Sequence, residues 1–443
     1  MRQSGWLCAA ALLCGCTPSG AGIDGGDTVI SGGDLRRVDG DAFRAGDGGA
    51  AGDSLSGGDA NLDPCDAPYA FWDLLDAVDA AVAADRQGIV DAWITAHGPD
   101  LPYRSGQLVT FLYRGAATDA VYLAGDSNGW SATADPMSRI ADTDVFQQSW
   151  CLPADARIDY KFVVNGTWIL DPANPHTIDG GFGTNSELRM PEWVYPAEID
   201  YDPAVPHGSI NGTTVAPGAA YNGMTFDSAV LGNSRDFWIY LPPGYSSGGS
   251  YPTLYVHDGG EYIGIARMPN VLDNLLAAGR IEPLIVVFVN PVDRNAEYVG
   301  AQIPGFVNMV ATELVPYIDS QYATDTSAPA RRGVMGTSNG GYISMRIGRD
   351  HPELFGRIGS QSGALRADGG GVIASYAGGT LPAGVEVYLD CGLIDDFTTA
   401  NRSMRDALAQ AGYLHSYTEY PEGHSWGNWR AHVDELLPFL FAP

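Results

Sequence analysis

The spacing of apolar residues changes along the chain and predicts segments of different secondary structure. Large apolar residues recur at three- and four-residue steps between Tyr69 and His97, which predicts one or two amphipathic helices within residues 65–103. From 104 to 195, short apolar runs are separated by turn-forming Asn-Gly pairs. This second pattern predicts an all-β, immunoglobulin-like sandwich, with strands at Leu108–Tyr113, Ala120–Ala124, Phe146–Trp150 and Asp159–Val164.

Residues 196–443 alternate between short apolar runs and amphipathic stretches. The runs are almost continuously apolar, as expected for parallel strands covered by helices on both faces. The fold class is therefore α/β, with a doubly wound sheet. The expected strands are Asp236–Leu241, Thr253–His257, Leu284–Val289, Gly333–Met335, Arg357–Ser360, Val385–Asp390 and Ser416–Tyr420. The expected helices include Val271–Ala278, Phe306–Tyr317, Gly341–Asp350 and Ala400–Ala411.

The first 64 residues carry an export pattern and then a polar segment. Arg2 precedes a short apolar run that ends at Leu13-Cys14-Gly15-Cys16, which resembles a lipobox with Cys16 as the lipidated residue. Residues 1–16 are thus predicted to be a lipoprotein signal peptide, with a plain secretory signal as the alternative. Residues 17–64 are rich in Gly, Asp, Ser and Ala, which predicts a disordered tether. The expected location is the outer membrane or cell surface, otherwise secreted.

The charge balance excludes some classes of partner. The chain has 53 acidic and 24 basic residues, a formal net charge of -29. Such a protein is repelled by nucleic acids and by anionic membrane surfaces. Neither is expected as a partner, and a membrane is expected only through the lipid anchor.

Three of the six cysteines fall outside the predicted signal peptide. An exported location permits disulfides, and a Cys65–Cys151 bridge is the pairing that we hypothesise. Cys391 lies in an apolar strand pattern and is expected to be a buried, small apolar residue.

A nucleophile motif and its partners occur in a consistent order in the C-terminal half. Gly336-Thr337-Ser338-Asn339-Gly340 follows an apolar strand and precedes a helical stretch, as in the nucleophile elbow of serine hydrolases. The base should follow a strand, which selects His424 over His415 and His432. The acid should lie on the loop after Cys391-Gly392, where we favour Asp395 over Asp396.

Other residues near strand ends are assigned to the same site. The backbone N–H groups of Asn339 and Gly260 are the expected oxyanion donors. The expected substrate-binding residues are His257, Asp258, Gln361 and Trp426. Arg294 could bind an anionic substrate, but an internal pair with Glu297 is the preferred interpretation. The spacing of His, Cys and carboxylates suits no metal, and no phosphate-binding loop occurs, so we expect neither a metal nor a cofactor.

Two family resemblances follow from these motifs. Leu241–Tyr245, the elbow, Ser360–Gly363, Cys391–Asp395 and Gly423–Trp426 together resemble the esterase D / enterochelin esterase group. That group includes bacterial feruloyl and acetyl-xylan esterases. The resemblance implies an α/β-hydrolase with Ser338 as nucleophile, Asp395 as acid, His424 as base and Gly260 as an oxyanion donor.

The β-rich segment resembles a second family. Gly125–Trp130, Tyr160–Trp168, Asp171-Pro172 and Asn185-Ser186 are similar to the glycogen-binding, isoamylase-N-terminal type of early-Set domain. Within that resemblance, Trp130 and Trp168 could stack on sugar rings. A purely structural role for both tryptophans remains the alternative.

These observations lead to a hypothesis and two alternatives. The hypothesis is an exported serine carboxylesterase that acts on small esters or on acyl and feruloyl groups of a polysaccharide. An enterochelin (siderophore) esterase is the first alternative. A glycan-binding surface lipoprotein with a non-catalytic hydrolase scaffold is the second, and the complete Ser, Asp and His set argues against it.

Overall fold

The predicted signal peptide, including Cys16, lies outside the residues that the computed structural model describes. Those residues are 36–38, 65, 69–116, 120–379, 381–382 and 384–443. Within them, no helix is long and apolar enough to cross a bilayer. One part of the predicted tether differs from expectation, because Arg36–Val38 forms a strand that pairs with Ser149–Cys151.

Two helices form the first well-packed segment, as the apolar spacing predicts. They are α1 (Ala70–Ala80) and α2 (Ala83–His97), separated by extended backbone at Ala81 and Val82. Phe71 and Leu74 of α1 are buried and share a core with Cys151. The Cys65–Cys151 disulfide, which the sequence suggests, is present with a Cα–Cα distance of 5.6 Å.

Residues 103–189, together with Arg36–Val38, form two sheets of short strands, including the four that the apolar runs predict. One sheet has the order β1-β7-β3-β2, with β6 on β7, and the other contains β10-β11-β8, with β4 and β9 on β8. Their facing side chains form one apolar core, in which Phe111 and Tyr160 meet edge to face. The strands are β1 (Arg36–Val38), β2 (Tyr103–Ser105), β3 (Leu108–Arg114), β4 (Val121–Gly125), β5 (Asp135–Pro136), β6 (Ser138–Arg139), β7 (Val145–Cys151), β8 (Arg157–Val164), β9 (Thr167–Ile169), β10 (Thr177–Gly180) and β11 (Gly183–Arg189).

The C-terminal half is built on a sheet with helices on both faces. All seven predicted strands are present, within a few residues of their expected bounds. The strands are β12 (Ser209–Ile210), β13 (Thr213–Thr214), β14 (Met224–Ser228), β15 (Asn233–Leu241), β16 (Thr253–His257), β17 (Ile285–Val289), β18 (Arg332–Thr337), β19 (Arg357–Gln361), β20 (Glu386–Ile394) and β21 (Leu414–Gly423). From β17 to β21 the strand order is β17-β16-β18-β19-β20-β21, all parallel.

The helices of this half cover two separate cores, one on each face of the sheet. They are α3 (Gly259–Gly264), α4 (Met268–Ala277), α5 (Arg294–Tyr298), α6 (Ile303–Met309), α7 (Val315–Gln321), α8 (Asn339–Asp350), α9 (Gly371–Ala377), α10 (Thr398–Ala411), α11 (Trp426–Ala431) and α12 (Val433–Phe441). A π-helical turn, Val310–Leu314, joins α6 to α7, so the predicted helix Phe306–Tyr317 is longer than expected and contains this irregular turn.

The two β-rich parts of the chain share one sheet. β21 pairs in parallel with β8 through Glu422 and Arg157, which continues the C-terminal sheet into β8, β11 and β10. The junction lies two residues before His424. The N-terminal strands are therefore in contact with the loop that carries the predicted base.

Candidate active site

The turn at Ser338 has the strained geometry of a nucleophile elbow. Ser338 stands between β18 and α8 with φ 56° and ψ −119°, a region that non-glycine residues rarely occupy. A Cβ on Gly336 would lie 2.6 Å from the carbonyl carbon of Gly340, so only glycine fits there. The Ser338 N–H donates to the Gln361 carbonyl at 2.9 Å, which holds the turn against β19.

The structure brings Ser338, His424 and Asp395 into one hydrogen-bonded chain. Nε2 of His424 lies 2.9 Å from Oγ of Ser338, and Nδ1 lies 2.9 Å from Oδ2 of Asp395. The Asp395 side chain is fully buried. Burial by itself would raise the pKa of Asp395, but the charge and hydrogen bond of His424 hold it below its usual value. Asp395 is thus ionised at neutral pH and fixes the orientation of the imidazole.

The residues that we rejected as acid and base lie elsewhere. Asp396 is exposed, and the Phe397 N–H donates to Asp395 rather than to it. His415 contacts the Tyr413 carbonyl, and His432 is paired with Glu422 at 3.1 Å. Of the three histidines, strand-end position therefore selected the one that contacts Ser338.

Two aromatic rings border the imidazole of His424. The ring centroids of Phe397 and Trp429 each lie 4.9 Å from that of His424. Trp429 is buried and packs against Trp426 at 5.2 Å. These contacts limit rotation of the imidazole and form an apolar wall beside His424.

The two expected oxyanion donors differ in their surroundings. Asn339 is the first residue of α8, where backbone N–H groups have no acceptor within the helix. The Gly260 N–H instead donates to Oδ1 of Asn290 at 2.9 Å. Gly260 could serve as a donor only if Asn290 turned away, so its predicted role stays a prediction.

The predicted substrate contact of His257 is wrong. The side chain is completely buried, between the rings of Tyr298 and Phe306. Burial, with Arg235 and Arg294 nearby, lowers the pKa of His257 to about 3. A neutral imidazole closed off from the surface cannot reach a substrate.

Asp258 and Arg294 form an internal ion pair, and a substrate contact of Asp258 stays a prediction. Nε and Nη2 of Arg294 donate to the two carboxylate oxygens of Asp258 at 2.9 and 2.8 Å. Nη2 also reaches the Thr337 carbonyl at 3.3 Å. The expected Arg294–Glu297 clamp is wrong, because Glu297 is buried and paired with Arg235 at 2.9 Å. Asp258 and Arg294 thus brace the strand that leads into Ser338.

Gln361 and Trp426 do not border an open site either. Gln361 is completely buried, and its Nε2 donates to Asp390 at 3.0 Å and to the Trp429 carbonyl at 2.9 Å. Trp426 is 7% exposed and packs edge to face on Tyr262. Both side chains support the His424 loop from inside, which a strand-end position alone could not reveal.

Trp130, in the turn after β4, and Trp168, on β9, lie side by side. Their ring centroids are 6.3 Å apart with an interplanar angle of 26°. Trp168 is 38% exposed, and Nε1 of Trp130 donates to Asp126 at 3.1 Å. The pair offers one partly exposed aromatic surface, well short of a deep cleft.

Sequence reasoning missed the residues that hold the His424 loop from the N-terminal side. Arg157 is fully buried and donates to Oγ of Ser425 at 3.2 Å, across 268 positions of sequence. An arginine within an apolar strand was the available signal. Its partner could not be inferred, because nothing local in the sequence relates β8 to β21.

Comparison with known proteins agrees with this geometry. Residues 228–440 match the family described as "Putative esterase", and residues 108–178 match "Enterochelin esterase, N-terminal". The C-terminal half of the chain therefore resembles putative esterases, and the N-terminal part resembles the N-terminal domain of enterochelin esterase. This confirms the main predicted resemblance and the enzyme class, a carboxylic ester hydrolase. The N-terminal match names an enterochelin esterase module, and the predicted early-Set relationship stays a prediction.

Individual relatives extend over both parts of the chain. An iron(III) enterobactin esterase of Dickeya dadantii is 25% identical over 379 residues, covering 73% of this chain and 85% of that protein. An endo-1,4-beta-xylanase/feruloyl esterase of Xylanibacter ruminicola is 26% identical over 315 residues, covering 62% and 40%. The crystal structure of a ferric enterobactin esterase from Salmonella typhimurium superposes with a TM-score of 0.65 at 23% identity, covering 79% and 98%. That likeness confirms an α/β-hydrolase type of fold.

Proposed function

We propose that the chain is an exported serine carboxylesterase that forms an acyl-serine intermediate, and that its substrates are acyl or feruloyl esters of polysaccharides. The observation that carries the mechanism is the continuous Ser338–His424–Asp395 contact, with both heavy-atom distances at 2.9 Å. A hydroxyl is a poor nucleophile at neutral pH unless a base removes its proton.

The arrangement supports a two-stage reaction. Oγ of Ser338 attacks the ester carbonyl as Nε2 of His424 takes the hydroxyl proton. The tetrahedral intermediate collapses, the C–O bond to the alcohol breaks, and His424 gives its proton to the leaving oxygen. Water then attacks the acyl-serine, with His424 as base, and releases the acid and free Ser338. Asp395 stays ionised throughout and stabilises the imidazolium.

Two observations support a polysaccharide ester as the substrate. The paired Trp130 and Trp168 rings present a surface of the kind that packs against sugar rings, and a feruloyl esterase is among the relatives. The export pattern of residues 1–16, with Cys16 as the proposed lipid anchor, supports an extracellular substrate. An immunoglobulin-like sandwich for residues 104–195 belongs to the same proposal.

An enterochelin-type triester is the second candidate. The N-terminal match to enterochelin esterase and the coverage of the Dickeya dadantii relative favour it. The chemistry at Ser338 would be the same, since each backbone ester of such a lactone is cleaved by acyl transfer. The candidates differ in the group that the aromatic wall at Phe397 and Trp429 would face.

A substrate panel with two variants tests the proposal. Wild-type protein should hydrolyse p-nitrophenyl acetate, Ser338→Ala should lose this turnover, and Ser320→Ala, at an exposed helix position, should retain it. Feruloylated and acetylated oligosaccharides compared with a catecholate triester then identify the substrate class. Full turnover by Ser338→Ala would refute the mechanism, and exclusive cleavage of the catecholate triester would refute the polysaccharide proposal.

Binding of insoluble glycan tests the remaining alternative. If Trp130→Ala and Trp168→Ala abolish glycan binding while ester turnover is unchanged, the pair is a glycan platform. A wild-type protein that binds glycan but cleaves no ester would instead support a non-catalytic scaffold.

A further inference from the structure

The loop that carries His424 is held from the N-terminal strands by a buried arginine. The Arg157 side chain has no exposed surface, and its guanidinium contacts residues on both sides of His424. Nη1 lies 3.2 Å from Oγ of Ser425 and 3.8 Å from Oε2 of Glu422. No other arginine in the described part of the chain has both of these neighbours within ion-pair or hydrogen-bond distance.

The rest of the guanidinium is fixed by residues of its own module. Nε of Arg157 donates to Glu187 at 2.6 Å, and Nη2 donates to Asp159. Both carboxylates are buried. A buried arginine with two such partners on neighbouring positions of one sheet has little freedom to move. It therefore offers the His424 loop a rigid contact point rather than a flexible one.

The backbone of the loop is shaped to accept this contact. A Cβ on Gly427 would overlap the Arg157 guanidinium, and a Cβ on Gly423 would overlap the Asp126 side chain. Asp126 in turn accepts the Asp159 N–H at 2.8 Å. Glycine at both positions lets the N-terminal module approach the loop closely on either side of His424.

From these contacts we infer that Arg157 is a positioning residue for catalysis, and that the N-terminal module sets the place of the general base through it. Arg157 touches neither substrate nor reacting atoms. It fixes Ser425 and Glu422, and these fix the backbone of His424 relative to Ser338. The inference rests on the proposed role of His424, and it assigns to the N-terminal module a task distinct from glycan binding.

Steady-state kinetics of Arg157→Met and a matched control test this inference. Arg332→Met removes another nearly buried arginine, 7% exposed and paired with Asp319 at 2.8 Å, at the end of β18 remote from Ser338. Small displacements of a catalytic group cost about 10- to 100-fold in rate, so Arg157→Met should lose about that much kcat, with KM changed less than about two-fold. Arg332→Met should keep kcat within about two-fold even where its melting temperature falls.

A spectroscopic measurement separates positioning from stability and from substrate choice. The Nδ1 proton between His424 and Asp395 should give a far-downfield ¹H NMR signal, which Ser338→Ala retains and Asp395→Asn loses. Arg157→Met should shift or broaden this signal, and Arg332→Met should not. An unchanged signal together with unchanged kcat in folded Arg157→Met would overturn the inference.

If Arg157→Met does not fold, a second variant tests whether Arg157 positions His424. Ser425→Ala removes the hydrogen-bond acceptor of Nη1 and leaves its ion-pair partner Glu422 in place, and kcat should fall about 3- to 10-fold with KM unchanged. Wild-type kcat and an unchanged downfield signal in Ser425→Ala would overturn the inference. If wild-type protein cleaves no ester, the proposed function fails, and the NMR comparison still decides whether Arg157 positions His424.

Discussion

Replacing Asp395 by asparagine tests the central hydrogen bond of the site with almost no change in volume. The wild-type carboxylate accepts the Nδ1 proton of His424 at 2.9 Å, so Nε2 has a free lone pair facing Ser338 Oγ. An amide at this position can donate to Nδ1 instead. The proton then moves to Nε2, where it faces the hydroxyl and blocks its deprotonation.

The expected loss of kcat follows from both the tautomer and the charge of the His424 imidazole. The buried carboxylate also stabilises the imidazolium that forms during each step, and burial keeps this interaction from being screened by water. For triads of this kind the loss in kcat is about 10⁴-fold, which corresponds to about 5.5 kcal/mol of transition-state stabilisation. KM should change little, because Asp395 makes no substrate contact in the proposed mechanism.

The assay is steady-state hydrolysis of p-nitrophenyl acetate, with Asp396→Asn as the control. Asp396 is the adjacent, exposed carboxylate, so its loss removes the same formal charge without touching His424. We expect Asp396→Asn to keep kcat within about two-fold. Folded Asp395→Asn with more than about a tenth of wild-type kcat, or an equal loss in both variants, would refute the assignment of the acid.

Three further predictions concern the elbow, the largely buried His432 and the disulfide. Gly336→Ala should lower kcat at least about 10-fold, because its Cβ would meet Gly340 at 2.6 Å and displace Ser338. Gly88→Ala, with open space around its Cβ, should leave kcat unchanged, and equal kcat in both variants would contradict the steric argument. The pKa of His432 is raised to about 9, where hydrogen bonds to Glu422 and Glu435 outweigh burial. The charged form therefore stabilises the fold fully below about pH 6.5, and this contribution is lost as the pH rises through about 9. In urea unfolding, His432→Gln should lower the free energy of unfolding by up to about 3 kcal/mol near pH 6 and by little near pH 10. An equal decrease at both pH values would contradict the linkage between the charge of His432 and stability. The disulfide closes a sequence separation of 86 residues, so the Cys65→Ser/Cys151→Ser pair should lower the free energy of unfolding by about 4 to 5 kcal/mol. Urea unfolding of this variant beside the wild type, with the wild type measured with and without a reducing agent, checks the value, and a loss below about 1 kcal/mol would contradict it.

The strands and helices of the C-terminal half followed from the sequence because their signals are local. Buried parallel strands such as Thr253–His257 need continuous apolar runs, and the structure has that strand with the same bounds. Boundaries differed where packing extended an element, as at Glu386–Ile394, which continues four residues beyond the predicted end. The strand Arg36–Val38 lacked any local signal and depends on pairing with β7.

The reactive groups were also accessible from the sequence, since chemistry dictates residue type and strand ends dictate position. Ser338, Asp395 and His424 follow three parallel strands whose carboxyl ends meet at one edge of the sheet. The same reasoning failed for His257 and Gln361. They too lie at strand ends, but their side chains point into the core, and the direction of a side chain at the end of a strand depends on tertiary packing.

By itself, the sequence determined which residues can do acyl-transfer chemistry and the order in which they occur. Only the tertiary structure decided what holds them. Arg157 and Ser425 are 268 positions apart, and they meet because β8 joins the edge of the sheet formed by β21. Edge pairing of this kind uses backbone hydrogen bonds that are available to every residue, so no pattern of residue types predicts it.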